Sequence, residues 1–137
     1  MVGLLITGHG NFGSGIYSAL EVIAGQCENV RFADFEKDRS VANYQQELNS
    51  ILDEMIEMGQ EVLVLADLLG GTPFKSAVRY GMKRGHIQVV SGANLSMTLE
   101  VEMARKSMTD LEQLASYAIE MGRQSITRFP FKQKEAH

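Results

Sequence analysis

Apolar residues along the chain switch repeatedly between continuous short runs and helical spacing. Val2 to Thr7 is apolar without a polar break, as in a strand buried on both faces of a parallel sheet. A glycine-rich turn follows, then a helix from about Ser14 to Ala24, and Val30 to Phe35 reads as a second strand. Ser40 can cap the next helix, where Val41, Tyr44, Leu48, Ile51, Leu52 and Met55 make one apolar face and Gly59 marks the end. Glu61 to Ala66 is a third strand. Thr72 suits a helix N-cap and Pro73 the first helical turn, where its missing N–H costs nothing. Ile87 to Ser91 is a fourth strand, and Asn94 can cap the helix after it. Thr109 to Glu112 has the spacing of a capping box, opening a last helix that ends near Gly122. Ser125 to Phe131 is a candidate final strand.

Alternation of this kind predicts an α/β fold: a single-domain, doubly wound, mainly parallel sheet with helices on both faces. The expected strand order is flavodoxin-like, 2-1-3-4, with Ser125 to Phe131 as a candidate C-terminal antiparallel strand. The expected domain is 1–131, with 132–137 a flexible tail. Ligands of such sheets bind beyond the carboxyl ends of the strands. The turns that matter are therefore Gly8 to Gly15, Asp67 to Pro73 and Ser91 to Asn94.

Composition narrows the classes. The chain has 137 residues, 45% hydrophobic and 22% charged, enough to bury a core. Net charge is −4 with no basic cluster, which argues against a nucleic-acid partner. Cys27 is the only cysteine, so no internal disulfide forms; it is read as structural, in keeping with a reducing cytoplasm. No signal-peptide pattern and no apolar run of membrane-spanning length is seen, which predicts a soluble protein tied to a membrane only through a partner.

The chemistry-bearing residues converge on one end of the sheet. His9 lies between Gly8 and Gly10, which leave the imidazole uncrowded. If strands one and three are neighbours, Asp67 can accept from one ring N–H and fix the tautomer, leaving the other nitrogen as a nucleophile. Gly70, Gly71 and Thr72 lead into a helix N-terminus, where free amides and the helix dipole favour an anion. A nucleophilic imidazole, an orienting carboxylate and an anion cradle suit phosphoryl transfer, which needs positioning and charge stabilisation. Each signal alone has a plainer reading: a loop histidine is commonly ordinary surface, Asp67 could cap its own loop, and Thr72-Pro73 is a good helix start. His86, at the opposite end, and terminal His137 are read as structural or solvated, Glu100 and Glu102 as solvated, and the eight methionines as mostly core packing.

A rival pattern occupies the same turn. Gly8-His-Gly-Asn-Phe-Gly13 fits the dinucleotide fingerprint, with Asp34 and Glu36 at the spacing of a ribose-binding acid. The chain is short for the second half of a dinucleotide fold, and this reading leaves Gly70 to Pro73 unexplained.

On these motifs the sequence resembles the IIA components of the mannose-type (mannose/fructose/sorbose) phosphotransferase system over about residues 1–125. The shared features are the strand running into Gly8-His9-Gly10, the Asp67-Leu-Leu-Gly-Gly-Thr-Pro73 turn and the Gly92-Ala-Asn94 turn. The resemblance implies a phosphotransferase, a phosphoryl carrier of sugar uptake that accepts the group from HPr on His9 as phosphohistidine. It would pass it to a IIB component, and so to sugar entering through membrane IIC and IID subunits. Asp67 would hold the ring, and Thr72, with Gly10, Gly70 and Gly71, would take the phosphoryl oxygens. Asn11, Phe12, Leu69, Lys75 and Asn94 are the expected partner surface. A cytoplasmic homodimer is expected, with no cofactor and no metal; exchange of a C-terminal strand is known in the family. Gly13 stands where the family commonly has alanine, Lys75 where asparagine is frequent, and Ser96 where proline is common. A dihydroxyacetone-kinase phosphocarrier subunit, which would use an equivalent histidine, and a non-catalytic sensor of sugar flux remain as alternatives.

Overall fold

The computed structural model describes residues 1–133. Its elements are β1 (Gly3–His9), α1 (Phe12–Ala24), β2 (Val30–Phe35), α2 (Val41–Glu57), β3 (Val62–Ala66), α3 (Thr72–Arg84), β4 (Ile87–Val90), α4 (Leu95–Ala104) and α5 (Leu111–Gln124). The four strands form one sheet in the order β2-β1-β3-β4, every pair parallel, as the alternation predicts.

The register explains why the strands lack a polar alternation. Leu4 lies opposite Leu63 and Ile6 opposite Leu65, so these side chains share one face. That face packs with Leu20 of α1, Met97 and Val101 of α4, and Leu114 and Ala118 of α5. Leu5 lies opposite Val64 on the other face, against Tyr44, Leu48 and Leu52 of α2 and Ala77 of α3. The central strands β1 and β3 are thus dry on both sides. Each fully buried aliphatic side chain contributes roughly 1.5–3 kcal/mol, so a polar residue at Leu4 or Leu65 would unfold the centre.

At the amino ends of the strands, a buried cation ties three elements together. Arg105, just past α4, is 1% exposed; it donates to the carbonyls of Val2 and Glu28 and pairs with Glu102. Glu102, expected to be solvated, is 4% exposed. Helical spacing could not reveal this, because its partner sits in the same buried seam three residues on. Glu100 accepts from the Tyr117 hydroxyl at 3.2 Å and is half-buried.

Other local expectations shift by a residue or two. The cap of α3 is Gly71, not Thr72, which is the first helical residue with Pro73 after it. Asp110, not Thr109, caps α5 by accepting from the Gln113 amide. Helix α1 starts at Phe12 rather than Ser14 because Asp34, reaching over from β2, accepts from the Ser14 amide and hydroxyl and closes its first turn. Val41 is exposed while the rest of its expected stripe is buried. Met55 and Met97 are core, whereas Met58, Met82 and Met103 face outward. Ser125 to Phe131 forms no strand. Pro130 removes a donor, and Ile126, Phe129 and Phe131 are exposed. Most of the expected tail, including His137, lies outside the described residues.

Candidate functional site

Strand β1 runs two residues past its last pairing with β3, Thr7 opposite Ala66, and ends in His9; β3 ends one residue before Asp67. Adjacent parallel strands therefore deliver both side chains to one end of the sheet. The His9 backbone N–H and the ring Nδ1 both bond Asp67 Oδ2, each at 2.9 Å. A carboxylate only accepts, so Nδ1 carries the proton and Nε2 is left with its lone pair. Among the described residues these are the only donors to Asp67; its Oδ1 is buried with no partner. The carboxylate is mostly covered (15% exposed) while the imidazole is open to solvent (44%).

Glycines set the clearances. A Cβ at Gly8 would lie 2.7 Å from Asp67 Cγ, so only glycine lets the carboxylate close on His9. A Cβ at Gly71 would lie 2.6 Å from His9 Cε1 and 3.3 Å from Nε2, which puts the nucleophilic edge of the ring against the start of α3. The intervening turn closes with the Gly71 amide donating to Leu68 at 3.2 Å, and Gly70 takes its third position with φ 79°. The first-turn amides of α3 have no carbonyl partner within the helix. The Thr72 hydroxyl makes no hydrogen bond among the described residues and is available to an oxyanion beside Nε2.

Sequence reading missed the second wall. Phe35 lies opposite His9 in the β1–β2 register, with ring centroids 5.9 Å apart and tilted by 55°. Its carbonyl accepts from Gly10 at 2.8 Å. Phe35 in turn packs on Tyr44, centroids 5.1 Å apart. Thr7 donates its single hydroxyl proton to the Ala33 carbonyl at 2.8 Å, so the buried Tyr44 hydroxyl is the donor in the 2.5 Å bond to Thr7. Burial pushes the Tyr44 phenol up to about 12. The end position of the second strand, next to the first, was the available signal for Phe35.

Of the expected partner residues, Asn11, Leu69 and Lys75 are exposed around His9 and Phe12 is half-buried. Leu68, exposed beside Leu69, joins the same rim. Asn94 is occupied differently: its side chain accepts from the Met97 amide at 2.8 Å and caps α4. The dinucleotide reading loses one of its two candidate ribose acids, since Asp34 is buried and its two oxygens are taken by Ser14, while Glu36 stays exposed. Gly13 serves close packing there instead, because a Cβ would lie 2.7 Å from the Ile6 carbonyl. No group of three or more His, Cys, Asp or Glu among the described residues is placed to hold a metal ion.

The family model EIIA-man, PTS system fructose IIA component, matches residues 3–118. The chain belongs to this family. It is thus a IIA chain of phosphotransferase-system type. It is similar to the PTS system mannose-specific EIIAB component of Escherichia coli K12, 28% identical over 134 residues, which are 98% of this chain and 41% of that protein. The chain thus spans less than half the length of that two-component relative. A PTS system fructose-specific EIIA component of Bacillus subtilis is 29% identical over 126 residues, 92% of this chain and 85% of that one. Among solved structures, phosphotransferase system component EIIA from Streptococcus agalactiae superimposes with a TM-score of 0.85 at 34% identity, covering 93% of this chain and 97% of that one. The mannose/sorbose specific IIA subunit from Enterococcus faecalis gives 0.87 at 25% identity, covering 98% of both. No helix among the described residues is long and apolar enough to cross a membrane.

Proposed function

We propose that this IIA chain carries a phosphoryl group on His9 Nε2, taken from phosphorylated HPr and given to a IIB component during sugar uptake. The observation that carries this is the imidazole held through Nδ1 by Asp67 with Nε2 turned to the amino end of α3. The Nε2 lone pair attacks phosphorus as the donor's N–P bond breaks, and that electron pair returns to the donor nitrogen. The proton on Nδ1 stays in place, and Asp67 balances the positive charge that grows on the ring. The Thr72 hydroxyl and the first-turn amides of α3 meet the equatorial oxygens. The exposed rim of Asn11, Leu69 and Lys75, with Phe12 and Leu68, takes the partner's surface.

The rest of the system follows from family likeness. The carrier works in the cytoplasm, and IIC and IID subunits in the membrane receive the sugar. A homodimer is supported by two features. The β4 edge of the sheet is open beside an apolar groove of about 420 Å3 lined by Phe74, Val89, Ile119 and Ile126, and the chain that follows presents Phe129 and Phe131 to solvent.

Intact-mass measurement after incubation with phosphoenolpyruvate, Enzyme I and HPr tests the reading. One acid-labile phosphoryl adduct on the native chain and none on His9→Ala is expected; equal labelling of the variant would refute it. Onward transfer to a IIB protein, rather than to a dihydroxyacetone-kinase subunit, separates the two carrier roles.

A further inference from the structure

Between α2 and α3 lies an open groove of about 510 Å3 whose lining includes none of the residues of the His9 site. Its lining includes Ser76, a residue 2% exposed whose hydroxyl makes no hydrogen bond to the protein among the described residues. Arg79 and Lys83 line one wall and form no ion pair among the described residues, although the chain as a whole is acidic. Gln45 and Asn49 of α2 face them. Asp53 is the one carboxylate: its Oδ1 accepts from the Tyr80 hydroxyl at 2.6 Å and from Arg84 at 3.0 Å, while Oδ2 takes no donor.

This donor set reads as two adjoining subsites. Two unpaired cations and an unpartnered hydroxyl suit a compact anion, for which Arg supplies a planar fork and Lys a point charge. A free carboxylate oxygen and two side-chain amides suit hydroxyl groups, and the same carboxylate repels a purely anionic polymer or acidic peptide. The groove offers no open aromatic face for a nucleobase, since Tyr80, its only aromatic, is 6% exposed. We propose that the α2–α3 groove is a binding site for a phosphorylated polyol of sugar-phosphate type, with the phosphate on Arg79, Lys83 and Ser76 and the hydroxyls on Asp53, Gln45 and Asn49. The site does not depend on His9 or on the carrier reading. It lies on the helix whose first turn, one turn before Ser76, forms the phosphoryl cradle.

The test is a titration of the 15N-labelled full chain with glucose 6-phosphate, inorganic phosphate and glucose, each to roughly 10 mM, a range that captures weak metabolite affinities. Saturable shifts at Gln45, Asn49, Ser76 and Lys83 are expected with glucose 6-phosphate, weaker ones at the same amides with phosphate, and none with glucose. Arg79→Gln with Lys83→Gln should weaken binding roughly tenfold or more, as loss of charge-assisted bonds does, whereas His9→Ala should leave it unchanged. Asp53→Asn should lower the preference for the sugar phosphate over phosphate. Absence of saturable shifts, shifts confined to Gly71 and Thr72, or equal affinity of the double variant would each overturn the site. Equal affinity for phosphate and glucose 6-phosphate would overturn its polyol half.

Discussion

Gly71→Ala separates what the site needs from what the fold needs. The backbone at Gly71 is extended, φ −73° and ψ 167°, so alanine meets no conformational barrier there. As a helix cap, alanine is poorer than glycine by about 0.5–1 kcal/mol, but it lowers the entropy of the unfolded chain by about 0.4–1 kcal/mol. The two nearly cancel, and the melting temperature should move by no more than a few degrees. The site has no such compensation. The new methyl would lie 2.6 Å from His9 Cε1, where carbon atoms normally rest about 3.5–4.0 Å apart. The ring must therefore retreat by about 1 Å, and its 2.9 Å bond to Asp67 either stretches or turns. A displacement of about 1 Å at a reacting atom costs on the order of 100-fold in rate. Rapid-quench transfer from phosphorylated HPr, with calorimetry on the same sample, reads both quantities. A variant that transfers at the native rate with its fold intact would refute the contact on which the cradle rests.

Asp67→Asn should keep the fold but slow transfer by roughly 10- to 100-fold, because the amide no longer enforces protonation at Nδ1; a native rate in the quench assay would remove Asp67 from the mechanism. Tyr44→Phe tests the support under Phe35. The raised Tyr44 phenol favours the protonated folded state, so native stability is full below about pH 10 and falls as pH rises through about 12, by about 2–3 kcal/mol from this group. The Tyr80 phenol, also raised by burial and by Asp53, adds to the loss. The phenylalanine variant should lose stability less steeply in alkaline urea melts, and an unchanged slope would count against the buried hydroxyl. Glu102→Ala should destabilise by about 3 kcal/mol, since it strands a buried guanidinium, and should leave phosphoryl transfer per folded molecule unaltered.

The sheet, its order and the His9–Asp67 pair were legible because each rests on short-range signals that all agree. Unbroken apolar runs mark two-sided strands, and glycines mark the turns at their carboxyl ends. Phe35, Tyr44 and Thr7 were not legible as a unit. Their contact depends on side-chain parity across three elements, which no local window contains. Glu102 failed for a related reason: a carboxylate in a helix reads as solvent-facing until the buried guanidinium beside it is known. The missing strand at Ser125 to Phe131 marks a further boundary. Its residues have the composition to pair, but composition names no partner edge, and Pro130 removes a donor from the segment.

The pair of hydrogen bonds from His9 to one oxygen of Asp67 bears on how the ring would behave over the proposed cycle. The same oxygen grips both the main chain and the ring of one residue. Under the proposed function, loading and unloading would proceed around this mount with Nδ1 and the main chain already held. A ring held at two points in this way would need little rearrangement on accepting or giving up the group. A stiff mount of this kind would suit the histidine to the reversible way-station proposed for it, with direction set by the supply of donor and the demand of acceptor.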